Sequence, residues 1–135
     1  MLAALSAAYA RAVATLDLTA MSLRNDDFRR EVTTASHSQV VLMTIEPGGE
    51  IGEEVHEGID QLLVFVAGAA ETILEGQSSA VEAGQAVLVP AGTRHNFRNT
   101  GSEPLRLWTV YAPPEHASGT VHHTKAEADA AEEEH

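Results

Sequence analysis

An all-β barrel or sandwich is the fold class that this sequence predicts, and three observations predict it. Short β-rich runs recur at 40–45, 61–66, 71–74, 86–89, 95–98 and 105–111. Turn residues separate them: Pro47-Gly48-Gly49, Gly76, Gly84, Pro90-Ala91-Gly92, Gly101 and Pro113-Pro114. Helix-period segments vanish between residue 21 and about residue 113. Strands this short, spaced this closely, leave no room for the crossover helices of βαβ units, so the sheet strands must be joined by turns.

The chain divides into three regions: 1–20, 21–113 and 114–135. In the first, Leu2, Leu5, Tyr9, Val13 and Leu16 stand three or four residues apart, the spacing of one amphipathic helix. That extension reads either as a docking helix for a partner or as an unordered addition from an upstream start, with Met21 the alternative start. In the central region, Gly84 and Gly92 allow the turns that bring a strand back across a barrel. Pro90 ends a strand by removing a ladder donor, and Asn99 can close a turn through its side-chain amide. On the run 61–66, Gln61, Leu63 and Phe65 share one face and Leu62, Val64 and Val66 the other. Beyond Pro114 the chain turns polar and then acidic, and 125–135, with little apolar surface to dock, is expected as a solvated, frayed helix.

A length of 135 residues is one domain, and a hydrophobic fraction of 44% suits a soluble globular protein. The formal charge of -12 disfavours DNA, RNA and anionic membrane surfaces as partners. With no cysteine, thiolate metal sites and cysteine nucleophiles are excluded, and any metal must be held by imidazole, carboxylate, amide or water. The apolar start at 2–10 lacks a preceding basic residue and is cut short by Arg11, which argues against a signal peptide; a cytoplasmic protein is the expectation.

The residues with chemistry begin at Glu54 and His56, two apart in an extended segment and so on one face, with Val55 turned away. Gln61 opens the next strand, after the turn residues Gly58 and Asp60. His95 follows the Pro90-Ala91-Gly92 turn, with Phe97 and Asn99 on its own face. Two imidazoles and a carboxylate are a set that holds an octahedral metal and leaves positions open for substrate; a lone Glu-x-His on a strand can also be plain surface.

The wider pattern resembles the cupin family. Its first motif runs glycine, five residues, His-x-His, three or four residues, glutamate, six residues, glycine; here Gly48, Glu54-Val55-His56, Gln61 and Gly68 hold that spacing. Its second runs glycine, five residues, proline, one, glycine, two, histidine, three, asparagine; Gly84, Pro90, Gly92, His95 and Asn99 fit it without a gap. The motifs cover 48–99, and flanking strands extend the resemblance to about 28–113. With Pro113-Pro114-Glu115-His116 and Gly119-Thr120-Val121-His122 following, the chain is similar to the small bacterial cupins described as mannose-6-phosphate-isomerase-like.

The resemblance implies a double-stranded β-helix (jelly-roll) barrel behind an N-terminal helical extension. It also implies a metal shell of Glu54, His56, Gln61 and His95. Glu54 replaces the first histidine of the motif and Gln61 its glutamate, so the shell keeps its charge with the carboxylate moved. The implied cofactor is a divalent transition metal, one of Fe, Mn, Ni, Co or Zn, unless the polar groups serve a metal-free ligand pocket. Gln61 is either a ligand or the orienter of a water. Strand alternation adds Met43, Ile45, Phe97 and Tyr111 as pocket wall, with Arg94 and Arg98 nearby in sequence. His37 is expected to be exposed, and His116, His122 and His123 solvated, unless one folds over the barrel mouth.

Leu62, Val64 and Val66 point away from the pocket yet are apolar, so that strand wants a second covering layer, supplied by a homodimer or by a second sheet of the same chain. Three functions follow: a metal-dependent isomerase or oxygenase of a small organic molecule, a non-catalytic small-ligand binder or sensor with or without metal, and a metal-free barrel with a structural role. No general base separate from the ligands is visible in the sequence.

Overall fold

The computed structural model describes residues 15–133. Nine strands form two antiparallel sheets: β1 (Arg29–Thr34), β2 (Gln39–Ile45), β3 (Asp60–Ala67), β4 (Ala69–Leu74), β5 (Gln77–Glu82), β6 (Ala86–Val89), β7 (His95–Asn99), β8 (Leu105–Ala112) and β9 (Val121–His122). Short helices stand at either end, α1 (Leu18–Arg24) and α2 (Lys125–Glu133). One sheet has the order β6-β3-β8-β2-β1-β9 and the other β5-β4-β7. No helix among the described residues is long and apolar enough to cross a membrane.

Alternation along the strands builds the core. On β8, Leu105, Leu107, Thr109 and Tyr111 are all buried and the residues between them are not. They meet Val41, Met43 and Ile45 of β2 and Leu63 and Phe65 of β3 across the ladder. Phe97 of β7 faces Phe65 from the other sheet, ring centroids 5.7 Å apart. All six anticipated strands are present, and Met43, Ile45, Phe97 and Tyr111 are interior residues, as alternation predicts.

At Gly68, between β3 and β4, φ is +93°, and an added Cβ would stand 3.0 Å from the Pro104 carbonyl oxygen and 3.1 Å from Leu105 Cα. Glycine there lets the chain cross from one sheet to the other beneath the start of β8. Asn99 ties the sheets at the same end: Nδ2 donates to the carbonyls of Ile45 and Glu103, both at 2.9 Å, and Oδ1 accepts from Gly101 N.

The ends of the chain differ from expectation. Most of the helix anticipated over 1–20 lies outside the described residues; within them α1 starts only after Asp17, whose side chain caps it by accepting from Ala20 N at 3.1 Å. Leu16 therefore precedes the helix instead of extending it. This helix packs on the outward face of β2, β3 and β8, where Leu42 is buried and Asn25 bonds Thr44. Part of the covering layer demanded by the apolar outer face thus comes from the chain itself; Leu62, Val64 and Val66 are half-buried, while Leu88 on the edge strand is 61% exposed.

Over residues 114–133 the tail is built against the barrel, where a frayed one was expected. Val121 and His122 pair with Arg30 and Arg29 of β1, and α2 seats Ala128, 2% exposed, in the hydrophobic core. A single small residue, too slight a signal to stand out among glutamates and alanines, anchors the helix.

Candidate functional site

The segment before β3 extends the smaller sheet. Ile51 N donates to Phe97 O at 3.0 Å, Asn99 N to Gly49 O at 2.9 Å, and Glu54 and His95 exchange both backbone hydrogen bonds at 2.9 Å. Directly opposed residues of an antiparallel pair share a face, so this exchange puts the Glu54 and His95 side chains together. The Pro90-Ala91-Gly92 turn continues the zipper, with Gly92 N donating to His56 O at 2.9 Å. Ala91 N bonds the carboxylate of Asp60, at the head of β3. Gln61, next along, has its side chain buried against β8, where Nε2 donates to Thr109 Oγ1 at 3.0 Å and that hydroxyl donates to Leu62 O.

The four residues named from the sequence thus gather at one end of the barrel. The His56 and His95 rings lie 5.2 Å apart between centroids, and Tyr111 stands edge-on to His56 at 5.8 Å. His95 Nδ1 is 2.8 Å from the Thr93 carbonyl, which can only accept; Nδ1 carries the proton and Nε2 the lone pair. No such bond fixes His56: Nδ1 stands 3.6 Å from Glu115 Oε2, and Nε2, buried without a hydrogen-bond partner, stands 3.4 Å from Glu54 Oε2. Gln61 Oε1 is buried and partnerless too.

The electrostatics favour neutral forms. Burial pushes the Glu54 carboxyl above its usual range, and the nearby Arg29 guanidinium pulls it only part of the way back. Burial likewise pulls the His56 imidazole down, against the opposing pull of Glu115. Burial raises the Tyr111 phenol beyond its ordinary value.

These donors fit a metal in kind: two imidazole lone pairs, a carboxylate and an amide oxygen, two of the atoms buried with no partner. They are not drawn round a common point, and among the described residues no group of three or more His, Asp or Glu is arranged to hold a metal ion.

Four polar residues that sequence reasoning passed over complete the mouth. Gln39 is buried and holds the strap after β8, donating to His116 O at 2.6 Å and accepting from His116 N at 2.9 Å and Glu115 N at 3.2 Å. Glu115 reaches His56 from outside. Thr109 orients Gln61. Arg29, opposite Met43 in register and so directed inward, is buried. Parity was the available signal: Gln39 belongs to the face of Val41, Met43 and Ile45, and Thr109 to that of Leu107 and Tyr111. Arg29 gave no such sign because β1 carries too few apolar residues to read as a strand.

His116 does fold over the mouth, edge-on to Tyr111 at 5.1 Å. Burial, with help from Arg29, lowers its imidazole to about 3, so it is neutral at pH 7. His37 is exposed. Arg94 and Arg98 are surface residues, more than half exposed, beside Glu53 and Glu50. Two cavities flank Arg29 beneath α2. One of about 250 Å³ includes Glu54, Ile51, Ala128 and Glu132 in its lining, and one of about 170 Å³ includes Glu115, His116, His122 and Glu132. Larger hollows of about 300 and 560 Å³ lie away from the histidine pair.

A family model described as a cupin domain matches residues 41–111. The uncharacterized protein YrkC of Bacillus subtilis is 43% identical over 117 residues, 82% of this chain and 62% of that protein; the chain thus spans less than two thirds of that relative. The crystal structure of BH2720 from Bacillus halodurans superposes with a TM-score of 0.85 at 41% identity, covering 87% of this chain and 93% of that one. A mannose-1-phosphate guanylyltransferase of Salmonella montevideo is 31% identical over 72 residues, 53% of this chain but 15% of that enzyme, so the likeness to a sugar-phosphate enzyme is distant.

Proposed function

The chain belongs to the cupin family, and from that premise we propose that it is a metal-dependent enzyme acting on a small organic molecule, as an isomerase or an oxygenase. The observation that carries this reading is the backbone pairing of Glu54 with His95, which sets a carboxylate and an imidazole side by side next to His56. The Thr93 carbonyl holds Nδ1 of His95 and leaves its Nε2 with the lone pair, while Nε2 of His56 is buried without a partner beside Glu54. The Thr93 contact is how a ligand histidine is oriented by an outer partner.

Glu54, His56 and His95 would hold the metal, with Gln61 as fourth ligand or as the group orienting a water. Glu54 and His95 stand side by side through their backbone pairing with His56 next to them, and a bound cation would favour the carboxylate form of Glu54. When bound, the metal supplies Lewis acidity toward a carbonyl or enediolate oxygen, or a platform for dioxygen. The remaining work belongs to the protein. The Thr93 carbonyl fixes the His95 tautomer, Glu115 faces His56 from outside, and Thr109 sets the amide of Gln61. Met43, Ile45 and Phe97 line the interior with apolar surface that excludes water. His116, held neutral by burial down to about pH 3, is a hydrogen-bonding group at the mouth and not a proton carrier. A cytoplasmic homodimer, its second copy packed on the outer face bearing Leu62, Val64 and Leu88, belongs to the same reading.

Metal content by plasma mass spectrometry tests it, on untagged protein beside the Glu54→Ala, His56→Ala double variant, with circular dichroism to show that both are folded. About one equivalent of a transition metal in the parent, lost in the variant, is the expected result. No metal in either, even after reconstitution with iron, manganese, nickel, cobalt or zinc, would overturn the reading.

A further inference from the structure

Arg29 is the one residue at the barrel mouth whose position neither the core nor the histidine pair explains. Its side chain is 3% exposed, and Nε is buried without a hydrogen-bond partner. The groups in direct contact with it are uncharged: the Phe28 ring, 5.3 Å from the guanidinium carbon; His122 Nδ1, 3.4 Å from one terminal nitrogen; and the Tyr111 hydroxyl. Among the described residues no carboxylate oxygen lies within 4.0 Å of it. A guanidinium cannot shed its proton to escape burial, so an unpaired one in the interior is a standing destabilisation. The chain places this charge on β1 opposite Met43, where an apolar residue would pack without that penalty.

We propose that Arg29 anchors the carboxylate of a small organic acid, bound in the cavity of about 250 Å³ that Arg29 shares with Glu54 beneath α2. The planar fork of the guanidinium matches a carboxylate with two parallel hydrogen bonds. Charge selects the ligand further. Glu53, Glu54, Asp129 and Glu132 also line this cavity, and its one other cation, Lys125, is held by Asp129 at 2.8 Å. Among the described residues, one cation of the lining has no carboxylate oxygen within 4.0 Å, which suits a monoanion; a phosphate dianion would meet more repulsion than Arg29 can offset. A carboxylate on Arg29 would leave the rest of the molecule in the space that Glu54 and Ile51 also line. The assignment of the ligand as substrate rests on the proposed function, whereas the anion site itself does not.

Calorimetric and thermal-shift titrations with pyruvate test the proposal on the full chain, both metal-stripped and metal-reconstituted. Arg29→Met and Arg29→Lys are measured alongside the parent, and inorganic phosphate serves as the comparison anion. The parent is expected to bind pyruvate at millimolar or lower concentration even without metal, and to prefer it to phosphate. Arg29→Met should weaken binding by about 10- to 100-fold, the loss of charge-assisted hydrogen bonds, and Arg29→Lys by less. Without ligand, Arg29→Met should melt no lower than the parent, since it removes an unpaired buried charge and keeps the bulk.

A parent that binds no pyruvate overturns the proposal, as does equal binding by Arg29→Met. So does a marked fall in the melting temperature of unliganded Arg29→Met, which would make Arg29 a structural partner of Glu132. Metal content measured on the same samples separates the two readings. Arg29-dependent binding in a protein that never takes up metal would sink the proposed enzyme and leave the anion site standing. Metal uptake with no Arg29-dependent binding would do the reverse.

Discussion

His116 shows how one side chain couples the mouth of the barrel to pH. Its backbone is held on both sides by Gln39, so the ring has little freedom to leave Tyr111 when it is protonated. A histidine at about 3 when folded, against 6.5 when unfolded, binds fewer protons in the folded state between those values. Its contribution to stability is complete above pH 6.5 and is lost as pH falls, by a factor approaching about ten in the folded ratio for each unit. His56 and His122 are lowered too and add to the same slope. Glu54, raised by burial, acts in the opposite sense: its stabilisation is full below about 4.5 and is lost as pH rises. The difference between parent and His116→Asn isolates the one residue. The parent should lose more melting temperature between pH 7 and 5 than the variant does; equal losses would show that the buried ring does not titrate as its surroundings dictate.

At the scale of elements, the tail matters most, because α2 roofs the cavities on either side of Arg29. Its start is a side-chain cap in which Thr124 Oγ1 accepts from Glu127 N at 3.1 Å and Glu127 reaches back to His123 N at 2.7 Å. Thr-x-x-Glu at 124–127 is visible in the sequence as a helix start, yet nothing there says that Ala128 will be buried. That depends on the gap left beside Phe28 and Ile51 once the barrel has closed. Ala128→Asp places a charge in that gap and should unseat the helix. The expected cost is about 1–3 kcal/mol, with faster amide exchange over 121–133 and unchanged exchange in β3 and β8. Unchanged exchange over 121–133 would mean that the helix does not depend on this contact.

The strands divide by the same logic. Those anticipated carry apolar residues on the inward face, Val41, Met43 and Ile45 of β2 among them. β1, β5 and β9 escaped notice because Arg-Arg-Glu-Val-Thr-Thr and Gln-Ser-Ser-Ala-Val-Glu lack that alternation and β9 is two residues long. These strands are specified by the ladders of their neighbours, which no local pattern reports.

In the whole molecule, Glu54 and His95 are brought together by a backbone pairing across 41 residues of sequence (95 − 54), and the motif spacing made that legible. The glycines and prolines mark the turns, and the turns set the register. Arg29 and the strap at 115–116 were not legible as site residues, since each reaches the mouth through a contact made late in the fold: Arg29 by pairing with β2 and β9, and the strap through Gln39. The described residues therefore join an apolar barrel to a polar mouth where His56 stands beside His95 and the buried Arg29 Nε has no hydrogen-bond partner among them.

If His56 and His95 hold a metal, anomalous diffraction from crystals soaked in manganese or cobalt, with data at the metal edge, shows it most directly. A single strong peak within about 2.0–2.3 Å of both His56 Nε2 and His95 Nε2, with Glu54 turned to meet it, is the predicted result. No peak there in crystals that take up the metal elsewhere, with both rings unmoved, would contradict it and leave the mouth as an organic-acid pocket alone.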